Sequence, residues 1–142
     1  METGFGLKMD PPKIIVRYAD GRIIKGYCQD FFPNKPAFHI LPAHPEVSNE
    51  TVEVFLKDLK ALFFVRDFAG DPKYKDQKIF PDGVKISGRK VEVTFKDGEV
   101  MIGSTLGYEP QRPGFFLFPS DSHCNNLRIF VVSQAVSKVQ YI

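Results

Sequence analysis

The sequence predicts an all-β protein made of two tandem five-stranded small barrels, and three observations predict it. Lys13 to Pro42, KIIVRYADGRIIKGYCQDFFPNKPAFHILP, returns as Lys90 to Pro119, KVEVTFKDGEVMIGSTLGYEPQRPGFFLFP, at one gap-free offset of 77 (90 − 13). Apolar and polar residues alternate through both copies with the period of a strand buried on one side. No stretch has the length and period of an ordinary amphipathic helix. The same offset carries Leu59 onto Val136 and Leu62 onto Val139, so the repeated units run over 13–65 and 90–142.

Residues 1–12 read as a flexible lead-in that ends at Pro11-Pro12. The first strand starts at Lys13; its counterpart places Val91, Val93 and Phe95 on one face and Glu92, Thr94 and Lys96 on the other. Asp20-Gly21 and Asp97-Gly98 then signal two-residue hairpins of type I′, in which both central residues take positive φ. The second strand carries Gly26 or Gly103 in mid-run, where a glycine serves a bulge or a bend that curls a small sheet. Pro33-Asn34-Lys35-Pro36 and Pro110-Gln111-Arg112-Pro113 are stiff corners that cannot lie in a central strand. They feed a third strand, Phe38 to Leu41 or Phe115 to Phe118. After a polar loop (Ala43 to Glu50, Ser120 to Leu127), each unit closes with two strands around a short turn: Thr51 to Leu56 and Leu59 to Val65, then Arg128 to Val132 and Val136 to Ile142.

The connection 66–89 holds Gly70, Pro72, Pro81, Gly83 and Gly88 as breakers, yet it also carries Phe68, Tyr74, Ile79, Phe80, Val84 and Ile86. That apolar content predicts a segment draped over the lobes rather than a free linker. Units of this size bury a marginal core alone, so the lobes are expected to pack on each other or on a second copy of the chain.

Of 142 residues, 43% are hydrophobic, and 14 Phe with five Tyr supply the core. The formal charge of +2 is too balanced to announce a polyanion partner. Cys28 and Cys124 occupy non-equivalent places in the repeat and read as reduced, buried thiols. The opening METGFGLKMDPP lacks the apolar run of a signal peptide, and nothing later approaches a membrane span, so no membrane association and a cytoplasmic location are expected.

The strand order, the glycine in the second strand and the one-turn connection before the last strand resemble an Sm-like or SH3-like small barrel. Phe130 to Ile142, FVVSQAVSKVQYI, is similar to the closing hairpin of the bacterial Sm-like RNA chaperone. Taken whole, both repeats with the VRDFAG junction at Val65 to Gly70 resemble an uncharacterised bacterial family associated with PilZ and other signalling domains, most specifically in the paired Pro-x-[Lys/Arg]-Pro-x-Phe. The chaperone's Lys-His pair would fall at Ser133-Gln134 and at Leu56-Lys57, and neither copy keeps it. The Asp-x-aromatic-x-Asn signature of RNA-binding Sm loops is absent too, as is the arginine motif with which PilZ domains hold cyclic di-GMP. Function resides in the site rather than in the barrel, so the resemblance implies fold more than RNA binding.

Four features compete for a functional role. Lys35 and Arg112, each a cation between prolines, lose little entropy on meeting an anion and would present a bivalent surface, although the prolines also shape the turn. Cys124, His123 and Asp121, with His39 and His44, are zinc-compatible types, but adjacent His123-Cys124 is poor spacing and no Cys-x-x-Cys occurs; no metal and no cofactor are expected. Phe31-Phe32 and Phe115-Phe116-Leu117-Phe118 put rings on both faces of a strand. Either Phe116 and Phe118 or Phe115 and Leu117 must find other cover; Phe31, Phe116 and Phe118 are read as marking an interface between lobes, between copies or with a partner, the connection 66–89 being the expected cover. Exposed strand edges could accept a peptide. No acid, base, nucleophile or phosphate-loop constellation appears, which points away from an enzyme. The expectation is an intracellular adaptor binding a protein partner in a regulatory setting, with self-association as a homodimer open. The alternative is single-stranded nucleic acid bound through Lys35, Arg112, Arg17, Lys25 and Arg128.

Overall fold

The computed structural model describes residues 11–43, 50–70, 73, 78, 80, 86 and 88–142. Ten strands follow in chain order: β1 (Lys13–Tyr18), β2 (Ile23–Tyr27), β3 (Ala37–Pro42), β4 (Val52–Phe55), β5 (Leu59–Val65), β6 (Arg89–Phe95), β7 (Val100–Thr105), β8 (Gly114–Pro119), β9 (Asn126–Val132) and β10 (Val136–Tyr141). Single 3-10 turns, Leu56–Asp58 and Ser133–Ala135, separate the last two strands of each group. The all-β class is as the alternation predicts. The strands form one antiparallel sheet in the order β10-β6-β7-β8-β9-β5-β1-β2-β3-β4, with β10 and β4 at its edges, rather than two separate sheets. Residues 1–10, the loop with His44, and Tyr74, Ile79 and Val84 of the connection lie outside the described residues.

The join is the β5–β9 pair, with Ala61 opposite Val131, Leu62 opposite Phe130 and Phe63 opposite Ile129. β5 is LKALFFV, apolar on both faces but for one lysine, and all seven of its residues are buried. A strand with no polar face must be covered twice. Leu59, Leu62 and Phe64 enter one core with Phe130 and Val132 of β9, together with Ile14, Val16, Phe38, Ile40 and Val54. Ala61, Phe63 and Val65 enter a second core with Ile129 and Val131 of β9, together with Val91, Val93, Phe95, Phe115 and Leu117. The two strands thus belong to both cores. β10, with the polar alternation VSKVQY, and β4, with Glu53, are largely exposed, and edge strands bearing charge resist adding a further strand.

The two five-strand groups share their internal order, β5-β1-β2-β3-β4 and β10-β6-β7-β8-β9. Backbone hydrogen bonds recur at corresponding positions: Leu56 N–H donates to the Pro36 carbonyl and Ser133 N–H to that of Pro113, both at 2.9 Å, while Ala19 donates to Asp58 at 2.9 Å and Lys96 to Ala135 at 2.8 Å.

One expectation is corrected. The Asp-Gly hairpins are not type I′, because only the glycines have positive φ, 99° at Gly21 and 94° at Gly98. Tyr18 N–H donates to the Arg22 carbonyl and Gly21 N–H to that of Tyr18, which makes a three-residue loop ending in a left-handed glycine. The aspartate stays right-handed because its carboxylate accepts from the backbone two residues on, Arg22 N–H to Asp20 and Glu99 N–H to Asp97, both 3.0 Å. At Gly26 and Gly103 the structure adds a requirement of close approach. A Cβ there would lie 2.4 Å from the Leu41 carbonyl oxygen or 2.2 Å from that of Phe118, since β3 and β8 cross over the glycines.

The described part of the connection makes contacts with both halves. Phe68 sits edge-on to Tyr27 at 5.3 Å, and its carbonyl accepts from Lys25 Nζ at 2.9 Å. Arg66 donates from Nε to the Cys124 carbonyl and from Nη2 to that of Ser122, at 3.2 and 3.0 Å. Among the described residues, no helix is long and apolar enough to cross a membrane.

Candidate functional site

Because β5 pairs with β9, the turn that precedes β5 lies beside the turn that follows β9. Each turn is tied to a proline corner by the recurring hydrogen bond, Leu56 to Pro36 and Ser133 to Pro113. The result is a groove of about 590 Å³ walled by Pro36, Phe55, Leu56, Pro110, Pro113 and Val132, with Lys57, Gln111, Arg112, Ser133 and Gln134 around it. Phe55 is 43% exposed, a large ring left in water on an edge strand. Three prolines make the walls stiff, so a ligand meets them with little ordering cost. The buried Ser133 hydroxyl has no hydrogen-bond partner among the described residues.

Arg112, which the sequence singles out, stands between this groove and a second one of about 550 Å³, which holds Pro33, Leu106, Phe116, Phe118 and Arg128. Arg112 Nε lies 2.6 Å from Glu109 Oε2, an exposed pair. Lys35 is not in either groove: its Nζ lies 5.0 Å over the exposed ring of Phe32. The two repeated cations are therefore not assembled into one site.

Phe31 and Phe116 are half-buried and pack on the first core. Phe31 plugs it with ring centroids 5.0 Å from Phe130, 5.3 Å from Phe38 and 6.4 Å from Phe116. Phe116 is covered by Phe31, Phe64 and Phe130, since β8 lies beside β9 and so next to the first core; most of the connection 66–89, the expected cover, lies outside the described residues. Phe118 is half-buried in the second groove. Large exposed apolar groups that sequence reasoning did not single out are Phe55 and Leu106, the latter 75% exposed. Glu53 next to Phe55 marks an edge, but only long-range pairing brings Phe55 to the second proline corner.

The zinc-compatible residues are dispersed. His39 Nδ1 lies 2.7 Å from Asp30 Oδ2 on one side, and Nε2 lies 3.8 Å from Glu53 on the other. Burial works to raise the Asp30 carboxyl, but hydrogen bonds from the His39 backbone and ring and from Cys28 Sγ outweigh it and hold it below its ordinary value. Burial pushes the Cys28 thiol up to about 11, which removes it as a nucleophile. Cys124 is buried with Sγ 3.4 Å from the Asn126 carbonyl, while His123 is exposed. Among the described residues, no group of three or more His, Cys, Asp and Glu side chains is placed to hold a metal ion.

Residues 10–142 match the model of a family of unknown function, DUF6982, and the chain belongs to that family. No curated protein and no solved structure matches it.

Proposed function

We propose that this family member is a noncatalytic, intracellular adaptor that binds an extended protein segment in the groove between its two proline corners, in a regulatory setting. We propose further that its sheet is a duplicated small-barrel unit whose two copies share the β5–β9 pair. The duplication is supported by the 77-residue offset, the common strand order and the hydrogen bonds that recur at corresponding positions. The observation that carries the binding proposal is the groove itself: exposed Phe55 beside Pro36, Pro110 and Pro113, with Lys57 and Arg112 at its sides. An apolar floor with cationic flanks fits a segment carrying an apolar residue next to acidic ones.

Affinity purification with identification of both protein and nucleic acid tests the reading. The expected result is a protein whose capture is lost with Phe55→Ser and weakened with Arg112→Glu, yet unaffected by Ile23→Ser, which removes an exposed apolar group on β2. Copurifying single-stranded nucleic acid that is released by salt and is indifferent to Phe55→Ser would replace it with the nucleic-acid alternative.

A further inference from the structure

Arg128 of β9 rests on two aromatic rings and has no counter-ion among the described residues. Its guanidinium carbon lies 4.3 Å from the Phe64 ring centroid and 4.5 Å from that of Phe116, and the two rings stand 6.1 Å apart, tilted by 54°. The rings form a V in which the guanidinium rests. Both are fixed from behind, because Phe64 is buried and Phe116 packs on Phe130 at 5.2 Å. An arginine so stacked loses its side-chain freedom before any ligand arrives.

Its hydrogen-bonding capacity is nevertheless unused. A guanidinium carries five N–H donors, and Arg128 has neither a hydrogen bond nor an ion pair with any described residue. Several cations are paired: Lys60 has Asp97 and Glu99, Arg22 has Asp20, Arg112 has Glu109 and Arg66 has two carbonyls. Arg17, Arg89 and Lys35 each lie over a single ring, whereas Arg128 is held by two. Glu109, the acidic group of the same groove, is taken by Arg112. Partial burial draws the Arg128 pKa down from its ordinary value with no carboxylate opposing that effect. Rings lend a cation only their faces; they accept none of its in-plane donors.

We propose that the second groove is an anion site in which Arg128, held by Phe64 and Phe116, takes a planar carboxylate. A fork of parallel donors with its faces covered matches the two oxygens of a carboxylate edge-on. This deepens the adaptor reading and rests on it for the identity of the ligand: the carboxylate is that of an acidic residue or a chain end in the bound segment, and Arg112 lines both grooves at the point where the segment passes from one to the other.

The test uses the full chain and needs no partner. The Arg128 Nε–Hε resonance is followed by NMR while N-acetylglutamate α-amide, N-acetylglycine, inorganic phosphate or sodium chloride is added at matched ionic strength. A saturable shift at roughly millimolar to tens of millimolar carboxylate is expected at Arg128. It should be absent at Arg89, whose guanidinium carbon lies 3.9 Å over the single ring of Tyr141. Phe116→Leu should weaken the response several-fold, and Ile23→Ser, outside both grooves, should leave it unchanged. The larger response of the two carboxylates identifies a side chain or a chain terminus as the source. No saturable shift, an equal shift at Arg89, or saturation by phosphate but by neither carboxylate overturns the proposal. A carboxylate response in a protein that captures no Phe55-dependent partner overturns the groove reading alone.

Discussion

Lys60, buried on β5, places its Nζ 2.7 Å from Oδ2 of Asp97, in the loop between β6 and β7. The ammonium also meets Glu99 and lies 4.7 Å over the Phe95 ring, so one first-half lysine fastens the hairpin of the second half. The hydrogen bond from Lys60, followed by that from the Glu99 backbone, holds the Asp97 carboxyl below its ordinary value. A carboxyl depressed on folding contributes stability above its unfolded pKa and loses it as pH falls through the folded one. Stability is therefore expected to drop on acidification below about pH 4, and Asp97→Asn should flatten part of that drop in denaturant titrations run across pH. Lys60→Ala should cost more than Asp97→Asn, about 1–2 kcal/mol, because the lysine is the buried partner while Asp97 stays hydrated when released. Equal losses for the two variants would contradict this asymmetry, and losses that simply add in the double variant would show the pair to be energetically idle.

The glycines separate two physical requirements. Gly103 has no room, its added Cβ meeting the Phe118 backbone oxygen at 2.2 Å, while Gly21 has open space and a φ of 99°. Gly103→Ala must push β7 and β8 apart and is expected to cost about 2 kcal/mol or more, whereas Gly21→Ala bears only backbone strain of about 1 kcal/mol. Chemical denaturation of the two variants checks the order, and a reversed order would refute the close-approach account of the mid-strand glycine.

Cys28 gives a reactivity prediction. With its thiol pushed up to about 11 from an ordinary value near 9, the thiolate at pH 8 is about 100-fold scarcer than in the unfolded chain. Native protein should resist iodoacetamide at Cys28 by at least that factor, as followed by peptide mass spectrometry, and denaturant should abolish the protection. Rapid labelling of Cys28 in the native state would contradict the buried setting.

Much of this fold was legible because local rules govern it. Alternation in KVEVTF located β6, the proline corners set the first residues of β3 and β8, and Lys57-Asp58 and Ser133-Gln134 marked the turns that prove to be 3-10. Turn type was not legible, because an aspartate that satisfies its own backbone leaves no trace distinguishing a three-residue loop from a two-residue one. The join of the halves was written in Leu59 to Val65, whose two apolar faces require two covers, while its counterpart Val136 to Tyr141 alternates as an edge should. For the site, Arg112 stood out through its prolines. Phe55 and Lys57 did not, and Arg128 entered only as one of five cations of the nucleic-acid alternative, because each acquires its neighbours only when β5 meets β9, a contact between residues more than sixty positions apart.

That meeting also decides how the protein unfolds. Ala61, Phe63 and Val65 contribute to the second core from a strand of the first half, and Phe130 and Val132 contribute to the first core from a strand of the second. Neither core is complete within its own half. Residues 11–70 expressed alone would expose one whole face of β5 and lose Phe130, a change that in a core position costs about 3–5 kcal/mol even as a single truncation to alanine, against the few kcal/mol that a unit this small can hold. The fragment is expected to show no dispersed amide spectrum as a monomer, and the full chain to unfold in one transition with coincident midpoints by fluorescence and circular dichroism. Phe130→Ala should lower stability without splitting that transition, since the residue lies within the shared pair. A folded monomeric fragment, or two resolved transitions in the intact chain, would show that the halves are independent lobes merely held side by side.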